Sequence, residues 1–220
     1  MSDPRLPLGL FGGTFDPIHV GHLRLAEEAI EHLGLSGVRW IPAGQPPHRE
    51  APLVSARQRL EMVVRSTADN PLFSVDPSEV LSEQASYTVL TLERLRAELG
   101  PGQPLVLLVG ADAFACLPAW HRWREILELA HLAVSHRPGF PVTQDSLPGE
   151  LADVYRARHR TDCACLRQWP AGSIVSFAMT QLDISATQIR KLLANGRSAR
   201  YLLPTAALDY IHAQQLYRTP

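Results

Sequence analysis

The sequence predicts an α/β protein with a doubly wound, mostly parallel sheet and helices on both faces. Short apolar runs alternate with segments whose apolar residues recur at helical spacing. Residues 105–109 are apolar throughout, which indicates a strand buried on both faces, as in a parallel sheet. At 220 residues the chain suits one buried core better than two, so a single domain over residues 1–220 is expected.

The first part of the chain is predicted to form strands at residues 8–11, 38–41 and 72–75, separated by helices. The helix after the first strand has apolar residues at helical spacing and ends at Gly34, which suits a left-handed cap. Ser55 is a suitable N-cap for the next helix. The predicted apolar positions of that helix are Leu60, Val63 and Val64.

The middle of the chain continues the alternation. A helix that begins near Thr88 and stops at Gly100 precedes the buried strand at residues 105–109. Gly110 opens a helical stretch that is predicted to contain Trp120 and Trp123. A strand follows at residues 131–135, which keeps the strand–helix–strand order of a parallel sheet.

The last part of the chain begins with a proline-bearing segment, residues 138–172, which is predicted to be a peripheral excursion with one helix near residues 151–158. Residues 174–177 restore a strand. Ser185 and Gln188 have capping-box spacing for a helix that Gly196 would end. A final helix is predicted at residues 205–214.

The composition disfavours several classes of protein. A formal net charge of −1 provides no global basic field for nucleic acid or an anionic membrane. Three cysteines do not suggest a disulfide framework and favour a reducing compartment. The polar start lacks an apolar signal segment, and no apolar run approaches the ~20 residues that cross a bilayer. A cytoplasmic protein with no nucleic-acid or membrane partner is therefore expected.

The stretch Gly12-Gly13-Thr14-Phe15-Asp16-Pro17-Ile18-His19-Val20-Gly21-His22 joins the first strand to the first helix. Its paired glycines would let backbone N–H groups approach a ligand closely. Asp16 and Pro17 suit the cap and first turn of the helix. His19 and His22, three residues apart, would then lie on one helical face near the positive end of the helix dipole. This combination predicts an anion site that suits phosphate.

Four polar segments follow predicted strands. They are residues 12–22, 46–49, 110–112 and 183–190. In doubly wound sheets ligands bind beyond the carboxyl ends of the strands. The four segments are therefore expected to meet at one edge of the sheet and form a single site.

Two motifs resemble those of the nucleotidyltransferase superfamily related to class I aminoacyl-tRNA synthetases. They are the stretch from Gly12 to His22 and the segment Ile184-Ser185-x-Thr187-x-Ile189-Arg190. Three further segments resemble the bacterial nicotinate mononucleotide adenylyltransferases: Pro46-Pro47-His48-Arg49, Ser86-Tyr87-Thr88, and Gly110-x-Asp112 followed by Pro118-x-Trp120. Ala186 departs from the family, which often has a second serine there. The resemblance implies a Rossmann-like nucleotidyltransferase fold.

The resemblance implies a reaction as well. ATP would donate its adenylyl group to nicotinate mononucleotide by direct in-line attack, without a covalent intermediate, giving nicotinate adenine dinucleotide and pyrophosphate in NAD biosynthesis. The implied catalytic residues are His19, His22 and Arg190. The implied ATP-binding residues are Gly12, Gly13, Thr14, Phe15, Gly110, Asp112, Ile184, Ser185 and Thr187. The implied residues for nicotinate mononucleotide are His48, Arg49, Tyr87, Thr88, Trp120 and Arg137.

A metal site built by the protein is not expected, because Cys163, Cys165 and His159 offer too few ligands at unusual spacing. Mg²⁺ would instead accompany ATP, bound mostly through phosphate oxygens and water. Alternative activities are those of a nicotinamide mononucleotide or phosphopantetheine adenylyltransferase or of a cytidylyltransferase. A non-catalytic nucleotide-binding or regulatory module is the alternative from another class. The sequence leaves the oligomeric state open.

Overall fold

The computed structural model describes residues 6–46 and 51–218. Its strands in this part of the chain are β1 (Leu8–Gly13), β2 (Gly37–Pro42), β3 (Phe73–Val75), β4 (Leu105–Gly110), β5 (His131–His136) and β6 (Ile174–Ala178). They form one sheet in the order β3-β2-β1-β4-β5-β6, and the pairs β1–β4, β4–β5 and β5–β6 are parallel. This strand order, which reverses direction beside β1, is that of a doubly wound α/β fold and confirms the predicted class.

The helices occupy the segments between and after these strands. Helices α1 to α5 are Val20–Leu33, Ala56–Thr67, Ser78–Leu81, Thr88–Leu99 and Ala111–Ala115. Helices α6 to α10 are Trp123–Leu129, Gly149–Arg158, Cys165–Gln168, Ala186–Ala194 and Thr205–Ala213. Two short 3₁₀ turns lie at Leu117–Ala119 and Gln144–Ser146. The short helices α3 and α8 were not predicted. No helix in the described ranges is long and apolar enough to span a bilayer.

The chain divides into two compact units. The first unit comprises residues 6–11, 27–38 and 87–181 of the described chain. The second unit comprises residues 12–26, 39–46, 51–86 and 182–218. The expectation that residues 1–220 act as a single domain stays a prediction.

In the first unit, β4 lies at the centre of the core. Its five apolar residues, 105–109, are buried, as their unbroken apolar run predicted. Leu107 pairs with Leu10 of β1 on one side and with Leu132 of β5 on the other. The side chains of such a parallel strand point to two buried faces of the sheet, which explains why the strand carries only apolar side chains before Gly110.

His131 is a structural histidine of the first unit. Its side chain is fully buried at the start of β5. The backbone N–H of Ser173 donates to Nδ1 over 3.0 Å, and Nε2 lies 2.8 Å from the carbonyl oxygen of Trp169. Nε2 therefore carries the proton and donates it, and the neutral ring has both nitrogens satisfied. Burial, the main cause, lowers the pKa of His131 below its usual value.

The prediction of one helical stretch from Gly110 through Trp123 was wrong. Helix α5 ends at Ala115, a 3₁₀ turn follows, and α6 begins only at Trp123. Pro118 lies in the 3₁₀ turn and lacks the N–H that a continuing helix would need. Trp120 consequently lies outside any helix, and its side chain is half-buried.

The segment 138–172 contains the helix that was predicted there, α7, with two further short turns of helix. Leu151 of α7 and Leu166 of α8 are both fully buried. Arg158 donates to Glu128 of α6 over 2.7 Å. These contacts attach the segment to the core of the first unit.

In the second unit, α2 begins at a complete capping box between Ser55 and Gln58. The predicted apolar face of this helix was only partly right. Val63 is buried, but Leu60 is half-buried and Val64 is 41% exposed. Arg59, only 1% exposed, lies on the buried face of the helix together with Met62, Val63, Ser66 and Thr67.

Candidate active site

The histidine turn, residues 14–22, connects β1 to α1. Helix α1 begins at Val20, so His19 immediately precedes it and only His22 lies in its first turn. The expectation that Asp16 caps the helix and that both histidines lie on it was therefore wrong. The Asp16 carboxylate accepts hydrogen bonds from Leu53 and Tyr217, which are distant in the sequence, and not from the start of the helix. At the start of the helix, the carbonyl of His19 accepts from the backbone N–H of His22 over 2.9 Å.

The two imidazoles nevertheless lie together. Their ring centroids are 3.6 Å apart and the rings are stacked. Phe15 meets the His22 ring edge-on at 5.2 Å and also contacts Trp40 at 5.5 Å. The histidine pair is thus held against an aromatic wall rather than left on a mobile surface.

Two glycines of the motif are explained by these rings. A Cβ on Gly21 would come within 3.1 Å of His19 Nδ1, and a Cβ on Gly13 would come within 2.9 Å of the Phe15 ring. A Cβ on Gly12 would meet no atom within 4 Å in the described chain beyond its neighbours. Close packing therefore accounts for Gly13 and Gly21, while close approach of a ligand stays a prediction for Gly12.

The protonation of the pair follows from its hydrogen bonds and burial. The backbone N–H of His19 donates to His22 Nδ1 over 3.2 Å, which places the proton of neutral His22 on Nε2. His19 is 8% exposed, and its Nδ1 has no hydrogen-bond partner among the described residues. Burial lowers the pKa of His19 to about 4. His19 is therefore neutral at physiological pH.

The lowered pKa of His19 predicts a loss of stability in mild acid. Its folded pKa of about 4 lies below the unfolded value of ~6.5, so the unfolded chain takes up this proton first as the pH falls. The free energy of unfolding should therefore fall by about 3 kcal/mol between pH ~6.5 and ~4, and this contribution should stay constant below that window. Urea unfolding of the wild type and of His19→Gln at a series of pH values measures the difference.

His212→Gln is the matched control, because His212 is exposed in α10. This variant should retain the acid dependence of the wild type, whereas His19→Gln should lose the part that His19 contributes, about 3 kcal/mol. His131 contributes equally to all three proteins and cancels in the comparison. An identical acid dependence in His19→Gln and the wild type would contradict the buried, neutral state of His19.

Arg190 lies beside the histidine turn. One N–H of its guanidinium, on Nη1, donates to the carbonyl oxygen of Asp16 over 2.7 Å, and Nη2 donates to Thr187 Oγ1 over 3.3 Å. Ser185 caps α9 by accepting from the N–H of Gln188 over 3.1 Å. The two sequence motifs are thus joined through Asp16, three residues before His19.

Arg59 joins two further segments of the second unit. Its Nη1 donates to the carbonyl of Thr14 over 2.6 Å, and its Nη2 donates to the carbonyl of Gly44 over 3.0 Å. Burial lowers the pKa of the guanidinium, and the nearby Asp16 and Tyr217 oppose that shift. Sequence reasoning missed this residue, although its spacing with Met62 and Val63 places it on the buried face of α2.

The first unit contains the remaining described candidates. Tyr87 is the N-cap of α4, and its ring contacts His121, the neighbour of Trp120, at 4.5 Å. The predicted nicotinate residues Tyr87, Thr88 and Trp120 are thereby brought to one region. Gly110 ends β4, and the exposed Asp112 follows in α5.

Arg137 is exposed directly after β5, whose Ser135 pairs with Gly110 of β4. Arg137 therefore lies at the same carboxyl edge as Gly110 and Asp112, as expected for parallel neighbours. His48 and Arg49 lie outside the described residues. The contacts of all these side chains with ligands stay predictions.

Comparison with known proteins places this chain in a family. A family model described as cytidylyltransferase-like matches residues 10–192. A protein of Dechloromonas aromatica named "Probable nicotinate-nucleotide adenylyltransferase" is 71% identical over 212 residues, which cover 96% of this chain and 98% of that protein. The chain belongs to the nicotinate-nucleotide adenylyltransferase branch of the cytidylyltransferase-like family.

A second relative supports this family, and a solved structure supports the fold. A Pseudomonas paraeruginosa protein of the same printed name is 50% identical over 214 residues, covering 97% of this chain and 98% of that protein. A solved structure of Plasmodium falciparum nicotinic acid mononucleotide adenylyltransferase, complexed with NaAD, superposes with a TM-score of 0.70 at 16% identity. The superposition covers 97% of this chain and 98% of that chain, so the two folds are alike over nearly their whole length.

Proposed function

We propose that the chain transfers the adenylyl group of ATP to nicotinate mononucleotide, giving nicotinate adenine dinucleotide and pyrophosphate in NAD biosynthesis. The observation that carries the proposal is the stacked pair His19–His22, which is joined to Arg190 through Asp16 in a chain 71% identical to a relative of that name. A cytoplasmic location, with ATP and nicotinate mononucleotide as small-molecule substrates, is part of the proposal.

The proposed chemistry is an in-line displacement. A phosphate oxygen of nicotinate mononucleotide attacks the α-phosphorus of ATP, the bond from the α-phosphorus to the bridging oxygen breaks, and pyrophosphate leaves with that bond's electrons. Both reacting groups are already phosphates, so positioning and charge stabilisation can supply the catalysis. No nucleophilic side chain is required.

In this proposal the triphosphate is bound by residues of the two sequence motifs. His19, neutral at physiological pH because its pKa is lowered to about 4, donates an N–H to the α-phosphate without a net charge of its own. His22, whose proton lies on Nε2, is a second neutral donor. Arg190 supplies a fixed cation for the β- and γ-phosphates, with Ser185 and Thr187 at the start of α9. Gly12, Gly13, Thr14, Phe15 and Ile184 complete the proposed ATP site.

In this proposal the nicotinate ring and the ribose are bound by residues of the middle of the chain. The backbone N–H groups of the first turn of α4 have no partners within the helix, so those after Tyr87, at Thr88 and Val89, suit a carboxylate. Trp120 stacks on the pyridine ring, and Gly110 and Asp112 bind the adenosine ribose. The remaining proposed ligands of the mononucleotide phosphate are His48, Arg49 and Arg137.

Transfer of a nucleotidyl group from ATP typically needs a divalent cation, and we propose Mg²⁺. Among the described residues no group of three or more histidine, cysteine, aspartate or glutamate side chains could hold a metal ion. In this proposal Mg²⁺ would be bound mostly through phosphate oxygens of ATP and water. The ion would neutralise triphosphate charge, while the side chains named above orient the phosphates.

The proposal is tested by measuring pyrophosphate release from ATP with a panel of acceptors. The acceptors are nicotinate mononucleotide, nicotinamide mononucleotide and phosphopantetheine, with CTP plus glycerol phosphate as a further pair. The acid mononucleotide should be the preferred acceptor, because the neutral amide gains less from backbone donors at a helix N-terminus. Equal use of the amide would contradict the Tyr87–Thr88 assignment. ATP binding without turnover of any acceptor would favour the non-catalytic module.

Arg190→Lys should raise the KM for ATP several-fold, because lysine loses the planar fork that binds two oxygens at once. The effect is specific to Arg190, which already spans Asp16 and Thr187. Initial rates at varied ATP concentration measure it. Arg197→Lys, at an exposed position just beyond α9, is the matched control and should leave the KM unchanged. An unchanged KM in Arg190→Lys would remove Arg190 from the triphosphate site.

A further inference from the structure

The carboxylate of Asp16 lies in the middle of the second unit, although its sequence position is a turn. It is 7% exposed. Its Oδ1 accepts from the hydroxyl of Tyr217 over 2.6 Å, and its Oδ2 accepts from the backbone N–H of Leu53 over 3.0 Å. Both oxygens are therefore held by segments far away in the chain.

The charges around Asp16 explain why this carboxylate must be held. The buried guanidinium of Arg59 donates to Thr14 within the same turn, and Arg190 donates to the carbonyl of Asp16 itself. A buried charge is stable only when it is paired and hydrogen-bonded. The Asp16 carboxylate is thus the negative charge near two cations, Arg59 and Arg190. The Asp16 backbone accepts a hydrogen bond from Arg190 and lies three residues before His19.

Tyr217 reaches this centre from the C-terminal end of the described chain. Its side chain is 9% exposed, and its φ of 61° lies in a region that L-residues other than glycine rarely adopt. The preceding residue, Leu216, is 7% exposed and donates its N–H to the Ile211 carbonyl of α10 over 3.0 Å. Packing and hydrogen bonds therefore hold this C-terminal segment against the unit in spite of an unfavourable backbone conformation.

The hydroxyl of Tyr217 remains a donor throughout the pH range of an assay. Burial first, and then the hydrogen bond to Asp16, raise the pKa of Tyr217 far above its usual value. A neutral donor to a buried carboxylate orients it without adding a charge. Removing the hydroxyl would leave the carboxylate with one fewer donor and let the turn shift.

We propose that Tyr217 is a positioning residue for adenylyl transfer: its hydroxyl fixes the Asp16 carboxylate, and the Asp16 backbone thereby fixes Arg190 and the turn that presents His19. This inference rests on the proposed function. It predicts that the C-terminal segment completes the triphosphate site rather than only adding stability. Tyr217 touches no reacting atom in this account.

The test replaces Tyr217 with phenylalanine, which removes only the hydroxyl. The kcat should fall about tenfold, the loss expected from about 1.4 kcal/mol of misplaced donors, and the KM for ATP should rise several-fold. The KM for nicotinate mononucleotide should not change. Tyr201→Phe is the matched control, because it removes the same group from a side chain that is 89% exposed; it should behave as the wild type.

A merely structural role is distinguished by the kinetics of the folded protein. If Tyr217→Phe lowers Tm while kcat and the KM for ATP stay at wild-type values, the proposal is overturned. Asp16→Asn, which keeps an oxygen for Tyr217 but removes the charge, provides a second variant should Tyr217→Phe fail to fold. It should show the same kinetic pattern, and wild-type kinetics in it would also overturn the proposal.

A double-mutant cycle tests whether Tyr217 acts through Asp16. The double variant Tyr217→Phe/Asp16→Ala, in which the second change removes the acceptor that Asp16→Asn keeps, should have a kcat no lower than Asp16→Ala alone, and additive losses would contradict the route through Asp16. Calorimetric binding of a non-hydrolysable ATP analogue separates this inference from the proposed function. If the wild type releases no pyrophosphate, the proposed function fails, while analogue binding about tenfold weaker in Tyr217→Phe than in the wild type would still support positioning. Equal affinities would overturn it.

Discussion

His19→Ala should lower kcat by about 10²–10³-fold, while the KM for both substrates changes less. The expected size is that of removing one donor aimed at charge that develops in the transition state. His19 is suited to this role because it is buried, stacked on His22 and neutral, with a pKa lowered to about 4. Initial rates of pyrophosphate release at saturating substrates measure the change.

The control for His19→Ala is His212→Ala, which removes an exposed imidazole from α10 of the same unit. It should retain the wild-type kcat. Because His19→Ala also removes a buried ring, Tm and the folded fraction should be measured in parallel and the rate expressed per folded molecule. A kcat for His19→Ala near that of the wild type would exclude His19 as a transition-state donor.

Arg59→Met should lower the free energy of unfolding by about 3–5 kcal/mol, the usual cost of removing one member of a buried charge pair. In this variant the Thr14 and Gly44 carbonyls lose their hydrogen-bond donor, and the buried carboxylate of Asp16 loses one nearby positive charge. Methionine fills much of the volume but cannot hydrogen-bond. For a chain of this length the Tm should fall by roughly 10 °C or more.

Arg57→Met is the matched control, since Arg57 is exposed on the same helix, two residues away. It should leave the Tm close to the wild-type value. Thermal unfolding followed by circular dichroism compares the two variants directly. Equal values of Tm for Arg59→Met and Arg57→Met would show that the buried guanidinium contributes no net stability.

Local sequence signals predicted the secondary structure well where they were strong. The apolar run at residues 105–109 became β4, buried as expected. Gly34 adopts the left-handed conformation predicted at the end of α1, with a φ of 62°, and Ser55 forms the predicted cap of α2. These signals succeed because each depends on a few neighbouring residues and on the backbone geometry that they favour.

Local signals failed where distant segments compete for a side chain. Asp16 has the composition of a helix cap, but its oxygens accept from residues 37 and 201 positions away, and the helix begins at Val20 instead. Arg59 has the charge of a surface residue but pairs with carbonyls of two other segments. These partners lie too far apart in the sequence for a local sequence pattern to reveal them.

The sequence by itself determined the α/β class, the order of the six strands, and the two motifs that identify the family, because these depend on local periodicity and on residue types at short spacing. Only the tertiary structure decided which segments meet: it stacks His19 on His22, brings Arg190 to the Asp16 carbonyl, and buries Arg59 and Tyr217 around the same turn. It also made His19 neutral, since a pKa shift of this kind comes from burial by residues distant in the chain.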